Sequence, residues 1–453
     1  MFSHALDRGR HPLAERARGI VLGSIITVGV VAALVSARTV AFSYAVAVVA
    51  FLLAAWWRGD LADAAPRNGP VARHFSVFLL YALASTAWAY VPATSFPSVF
   101  LAIVVALGTI VLIQLFTKET RPNLLHMGEG LWIGFLVGLL YLFVELFTDQ
   151  SLKIWVYNAI GLGPSDLPHP EYFGWSGETL VFVSREDLTR NMVPVALCMW
   201  PAVMAARGTL RRRSGLVVSC LMVLLAGAVI MLAWHETSKL AYLAGVATFA
   251  GACVGARLTG RFVAMGWVIA CLAVLPSALI AHRLDVHNAS WLPSTARHRI
   301  IIWNHTAEQV LKAPLLGVGA RTTYLLGPRG EEASETRPDE AFARTLSVHS
   351  HSVYLQTWFE LGLIGATLLT LFGLSILQAI RSLALPLRPY AYATFVSAMV
   401  MAASSYGMWQ IWFVSMFALT AALFGLGASL IAKRNGHETI TSRALEHDAT
   451  VQA

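Results

Sequence analysis

The chain has 453 residues, of which 57% are hydrophobic and only 13% charged, and its mean hydropathy is +0.63. That leaves too few polar side chains to cover a water-soluble globule, so a bilayer must solvate most of the surface. The formal net charge of +8 would suggest nucleic acid in a soluble protein, but here Lys and Arg sort by loop; they read as topology signals and contacts to anionic ligands, with membrane lipids as partners and no nucleic acid.

Apolar runs of about 17–24 residues recur along most of the chain, close to the ~20 residues that cross ~30 Å of hydrocarbon. None alternates with period two, which argues against a barrel and for helices, whose backbones are satisfied internally in lipid. The N-terminus is basic, then apolar, then Ser36-Ala37, the layout of a signal peptide. A second apolar run begins at once, so an uncleaved first span is expected. The pattern predicts spans at 20–36, 40–57, 74–91, 97–116, 131–147, 190–206, 215–234, 238–256, 262–281, 351–380, 388–406 and 409–432. The fold class is therefore an all-α polytopic membrane protein of about 12 transmembrane helices, with a large extracytoplasmic loop at 282–350.

With the N-terminus in the cytoplasm, the cytoplasmic segments hold 20 of the 33 basic residues, and the short opposite loops around 92–96 and 406–409 hold none. This asymmetry orients the chain with both termini cytoplasmic. The expected organisation is one transmembrane body over 1–433 and a polar cytoplasmic tail over 434–453. Cys198, Cys220, Cys253 and Cys271 all fall in apolar runs, so neither a disulfide nor a zinc framework is indicated.

Of the 13 remaining basic residues, twelve lie in or beside three exoplasmic segments, roughly 148–190, 234–239 and 282–350. Arg329, Arg337 and Arg344 share the last of these with Glu331, Glu332, Glu335, Asp339 and Glu340, and read as a solvated stretch. The stretch from Ser294 to about Lys312 predicts an amphipathic helix, capped by Ser294 or Thr295 and stopped by Pro314. It is expected to rest Ile301, Ile302, Trp303, Val310 and Leu311 on the protein body and to keep Arg299, His305, Glu308 and Lys312 polar. Trp303 reads as a packing anchor, and Arg297 as a contact to lipid phosphate or to substrate. The tenth span opens with His349-Ser-His351-Ser, where free N–H groups and the positive end of the helix dipole favour phosphate. Gly362 and Gly365 would let a neighbouring helix approach. No Cys or carboxylate pair completes a metal set around His-Ser-His, so no metal or other cofactor is expected.

Arg299-Ile-Ile-Ile-Trp303, Ala313-Pro-Leu-Leu-Gly317-Val-Gly319, and His351-Ser352 followed by Gly362-x-x-Gly365 together resemble the core of the O-antigen ligase and O-antigen polymerase superfamily. Thr237-Ser238-Lys239-Leu-Ala-Tyr resembles that superfamily's Thr/Ser-Ser-Arg-x-Ala stretch, with Lys where Arg is usual, and Arg190-Asn191 resembles its polar entry to an earlier span. The resemblance implies a bacterial inner-membrane glycosyltransferase with its active site in the periplasmic loop 282–350. It would transfer a glycan from undecaprenyl pyrophosphate to lipid A-core without a metal, by a single displacement with inversion. His351 would be the catalytic base and Arg299 the catalytic cation. Lys239, Arg190, His349, Arg297 and Arg321 would bind substrate. The chemistry is sound on its own terms: negative charge grows on the departing phosphate oxygens, and an imidazole suits proton abstraction near neutral pH. A polymerase of the same superfamily needs the same groups and differs in its acceptor. A transporter or flippase is the remoter alternative, disfavoured because the spans read as lacking a buried charged relay or paired broken helices.

Overall fold

The structure, a computed structural model, describes residues 12–64, 69–166, 170–326 and 349–451. Arg329, Arg337 and Arg344, with the acidic residues around them, lie outside the described residues. The described chain is almost entirely helical and divides into two compact units: 1–66, 108–242 and 415–453 form the first, and 67–107 and 243–414 the second.

The first unit contains α1 (Pro12–Val35), α2 (Val40–Arg58), the later part of α4 (Pro92–Lys118), α5 (Arg121–Phe147), α6 (Ser151–Ala159), a hairpin of β1 (Phe173–Ser176) and β2 (Thr179–Val183), α7 (Met192–Thr209), α8 (Arg212–Leu232) and most of α15 (Ile411–Val451). Small residues let α1 and α5 meet backbone to backbone. A Cβ on Gly130 would run into the Gly23 carbonyl, and one on Gly134 would lie 2.8 Å from the Thr27 carbonyl oxygen. α7 is buried on nearly every side, as expected of a helix apolar all round. From Lys433 on, where the sequence suggested a tail, the same helix continues.

The second unit contains α3 (Pro70–Ser85), the start of α4, α9 (Glu236–Leu272) from residue 243 on, its first residues belonging to the first unit, α10 (Val274–Arg283), α11 (Ser294–Val310), the short α12 (Thr322–Leu326), α13 (Val353–Ser382) and α14 (Arg388–Ala403). Phe75 of α3 stacks on Phe372 of α13 with centroids 4.4 Å apart. Trp267 of α9 donates its indole N–H to the Thr370 carbonyl at 3.0 Å and packs edge-on against Tyr354 and Phe395. Indole groups buried this way need such a polar partner.

Nine helices among the described residues are long and apolar enough to span a bilayer. The spans expected near 74–91 and 388–406 coincide with α3 and α14, each of 16 residues, shorter than the ~20 that straight passage through ~30 Å requires. Those expected at 238–256 and 262–281 are joined in part as α9, which breaks at Gly255. Many apolar side chains, among them Leu53, Leu224 and Val254, stand exposed, the surface a bilayer would cover.

Candidate active site

The surface helix expected after the ninth span is α11, beginning at Ser294 with Pro293 as its cap residue and ending at Val310, with Leu311 as the C-cap. Neither Ser294 nor Thr295 is the N-cap. Its buried stripe is Ile300, Ile302, Thr306, Ala307 and Val310, whereas Leu311 is 58% exposed; the helical period puts Leu311 one position past the stripe. Ala307 joins Ala278 of α10 and Leu355 of α13 in an apolar cluster against which Trp303 packs. The Trp303 indole donates to the Ser350 carbonyl at 2.9 Å, so this residue is the packing anchor the sequence suggested and also holds the chain just before α13.

Arg299, expected to stay on the polar side, is half-buried and donates to Ser404 Oγ at 3.1 Å. The next residue, Ser405, accepts from His351 through its carbonyl at 2.9 Å. Adjacent residues of the α14–α15 turn thus hold both candidate catalytic groups. A carbonyl oxygen only accepts, so His351 Nδ1 carries the proton and Nε2 the lone pair. His351 sits at φ 54°, an uncommon conformation for a side chain of its size. It is held there on three sides: its amide donates to His349 Nδ1 at 3.3 Å, its imidazole to Ser405, and Ser352 caps α13 by accepting from the Leu355 amide at 3.4 Å. His349 is buried, its ring centroid 4.1 Å from that of His351. The N-terminal N–H groups of α13, expected to be open to phosphate, are therefore partly taken by Ser352.

Burial, followed by the neighbouring His349 and Arg299, pushes His351 down to about 3, against the Ser405 carbonyl that raises it. Burial also lowers Arg299, partly offset by Tyr406, and burial and then Arg299 lower His298. The cluster is electropositive and half-dry, and it keeps His351 neutral at neutral pH. An incoming anion would be welcome beside such a group.

α13 breaks at Gly362, where φ is 63°, a conformation natural to glycine. The break frees backbone groups, and the Ala313–Gly319 motif docks onto them. Leu363 N–H donates to the Pro314 carbonyl at 2.8 Å, Val318 N–H to the Phe359 carbonyl at 3.1 Å and Gly319 N–H to the Glu360 carbonyl at 2.9 Å. A Cβ on Gly362 would collide with the Leu315 carbonyl. The glycine expected to admit a neighbouring helix instead admits this loop, so the two sequence motifs are two halves of one joint.

Glu360, just before the break, is 0% exposed. Its Oε1 accepts from the Thr323 amide at 3.1 Å and Gln356 Nε2 at 3.0 Å, and its Oε2 from the Arg321 amide at 2.7 Å and the Trp409 indole. Gln356 Oε1 in turn accepts from the Met408 amide at 3.1 Å. One carboxylate thus ties the docked loop, α13 and the turn that carries Ser404 and Ser405. Arg321 places its guanidinium on Ser98 Oγ and 4.8 Å from the Tyr324 ring centre. Arg297 is half-buried beside His298, with Nε lacking a hydrogen-bond partner among the described residues.

Lys239 and Arg190 belong to the first unit. Lys239 pairs with Glu236 at 2.8 Å near the start of α9, next to Ser238, which is buried and lies 2.5 Å from His235 Nδ1. Arg190 lines a cavity of about 420 Å³. Glu145, at the end of α5, interacts with Tyr141 and Lys153.

Sequence reasoning missed His298, Glu360, Gln356 and the 404–410 turn. Glu360 had an available signal, since an ionisable residue within a span is costly and so rarely incidental. The Ser-Ser-Tyr-Gly-Met-Trp-Gln turn has no charged residue and gave no such signal.

The family described as O-Antigen ligase matches residues 220–370, a stretch that includes Lys239, Arg297, Arg299, Arg321, His349 and His351 but not Arg190 or the 404–410 turn. A protein of Rickettsia typhi named "Putative polysaccharide ligase" is 28% identical over 141 residues, covering 30% of this chain and 34% of that protein. One of the same description from Rickettsia conorii is 29% identical over 122 residues, covering 27% and 29%. The chain spans about a third of the length of these curated relatives. Residues 220–370 are thus similar to the O-antigen ligase family, and nine helices among the described residues are long and apolar enough for a multi-pass membrane protein.

Proposed function

We propose that this protein is an O-antigen ligase of the bacterial inner membrane, transferring a glycan from undecaprenyl pyrophosphate to lipid A-core on the periplasmic face. The observation that carries the reading is the seating of Arg299 and His351 on adjacent residues, Ser404 and Ser405. His351 Nε2 takes the proton of the acceptor hydroxyl. The freed oxygen attacks the anomeric carbon, the bond from that carbon to the phosphate oxygen breaks, and the electron pair leaves on the diphosphate. Arg299 faces the charge that grows there, in a half-buried setting where a fixed cation acts more strongly than in water. Lys239 and Arg190 add cationic contacts to the donor, and no metal ion is called for. His349 orients His351 through the bond from the His351 amide, whereas Arg321 supports the site through its backbone and Arg297 meets substrate or lipid phosphate. The displacement is single and inverts the anomeric centre.

In this reading the chain crosses the membrane about twelve times, with α3, α14 and the two arms of α9 included, both termini in the cytoplasm, and 282–350 in the periplasm. Residues 1–433 form the transferase and 434–453 a cytoplasmic tail. A strain lacking the protein should lose the long-chain lipopolysaccharide ladder and accumulate polymerised, lipid-linked glycan. Core bearing a single repeat would instead identify a polymerase, and an unchanged ladder would defeat both. His351→Ala should not restore the ladder even when present in the membrane at normal level.

A further inference from the structure

The short helix that follows α5 turns its apolar side away from the protein. After α5 the chain closes a tight turn, in which the Thr148 N–H donates to the Val144 carbonyl at 2.9 Å and the Gln150 N–H to the Glu145 carbonyl at 2.7 Å. Asp149 and Gln150 take φ of 49° and 62° there, and α6 begins at Ser151. The step from Phe147 to Ser151 reaches at most ~14 Å even when extended, so α6 starts close to the end of α5.

The polar side chains of α6 are engaged by the protein itself. Lys153, the one charged residue of the helix, pairs with Asp187. The Ser151 hydroxyl donates to Thr148 Oγ1 at 2.8 Å, and Asn158 exchanges two bonds with the Leu180 backbone, at 2.9 and 2.8 Å. Tyr157 stacks on Phe173 of β1 with ring centroids 6.1 Å apart. Leu152, Trp155, Val156 and Ile160, the last just past the helix end, follow one another at helical spacing on another face. All four are exposed, Trp155 at 67% and Ile160 at 65%. A helix lying on a protein in water shows the reverse, with its apolar stripe inward.

We propose that α6 is an in-plane membrane anchor, its Leu152, Trp155, Val156 and Ile160 face sunk into the boundary between lipid headgroups and acyl chains. Along α5, Ile133, Val137, Leu140, Val144 and Phe147 form an exposed apolar stripe at the same spacing of three and four residues, the face a spanning helix gives to lipid. The stripe runs to Phe147, one tight turn from α6. With 27 residues, α5 is ~40 Å long, more than the ~30 Å of the hydrocarbon core. Its end therefore reaches the edge of that core, the level at which Trp is enriched and in-plane helices lie. A docked protein would need polar groups to fix its register, and Ser151, Lys153 and Asn158 are already taken. The assignment rests on the multi-pass membrane character of the chain and is independent of the transfer reaction.

Spin labelling of the full chain in lipid nanodiscs tests this, in a background where the two exposed cysteines are removed by Cys220→Ser and Cys253→Ser. Nitroxides on Trp155→Cys and Ile160→Cys should collide with oxygen more often than with a water-soluble nickel chelate, as should one on Val144→Cys in the α5 stripe. Their collisions with the chelate should fall at least about tenfold below those at Glu178→Cys, because a hydrated polar complex is excluded from an apolar layer; Glu178 is exposed in the turn between β1 and β2. Chelate collisions at 155 and 160 equal to those at Glu178→Cys leave the face in water and overturn the proposal. Shielding from oxygen and chelate alike means that protein covers the face, which also overturns it. Both labelled side chains are exposed, and Ile160→Cys decides the matter if Trp155→Cys does not fold. Free access of the chelate at Val144→Cys would take α5 out of the membrane, and the anchor with it.

Discussion

Glu360→Gln changes one oxygen to an amide and leaves the shape of the side chain intact, yet it should disable the protein. Both carboxylate oxygens are surrounded by donors, the Thr323 amide and Gln356 on one and the Arg321 amide and Trp409 on the other. Whichever way the glutamine turns, its NH₂ faces two of them. Two hydrogen bonds to a charged acceptor are lost, at about 1.5–3 kcal/mol each, and the donors left behind carry a desolvation cost of similar size. Relief from burying a charge offsets part of this, and we expect a net loss of about 3 kcal/mol, felt where the docked loop, α13 and the 404–410 turn meet. Because Ser404 and Ser405 hold Arg299 and His351, a displacement of that turn by ~1 Å should lower kcat about 100-fold. The assay pairs a glycan-transfer rate with thermal melting of the purified protein in nanodiscs. Melting unchanged and kcat within about threefold of the unmodified protein would refute the view that this carboxylate organises the site.

His351→Ala should lower kcat by about 10²–10⁴-fold, the usual worth of a positioned base, with the melting profile retained; a smaller loss removes it from proton transfer. A His351 held down to about 3 stays deprotonated as pH falls, so kcat/KM should have its acid limb well below the ordinary histidine value of about 6.5. Arg299→Gln removes a positive neighbour and should move that limb to higher pH while lowering the rate, and a limb near 6.5 in the unmodified protein contradicts the assignment. Gly362→Ala, which forces a Cβ onto the Leu315 carbonyl in a left-handed conformation costing ~1–2 kcal/mol before any clash, should melt at lower temperature and lose transfer activity. Gly255→Ala, with nothing near its would-be Cβ, serves as the contrast and should do neither.

Much of this was legible from residues alone because the physics involved is local. Apolar runs of bilayer length announce helices whatever they pack against, and α11 was recognisable from its period and from Pro314 behind it. Arg299 and His351 stood out because they fall in the motifs by which the sequence resembles the O-antigen ligase superfamily. Their actual partners were not legible. Ser404 and Ser405 are about a hundred and about fifty residues away respectively, and a hydroxyl and a main-chain carbonyl carry no signature of the group they will meet. Gly362 was noticed for its size, but the need for a positive φ arises only because the Ala313–Gly319 loop arrives there, a tertiary fact. Glu360 was passed over within a strongly apolar span, although burial without a partner would have been prohibitive and its position alone demanded donors from elsewhere.

The two-residue mount at Ser404 and Ser405 has a mechanical consequence. Because His351 and Arg299 are bonded to neighbouring positions of one short turn, a movement of that turn would carry both together, preserving their spacing while changing their distance from whatever is bound opposite. Under the proposed transfer chemistry the two groups would advance or withdraw as a unit, and a single-residue insertion in the turn should uncouple them by shifting one attachment relative to the other, even with every side chain still present.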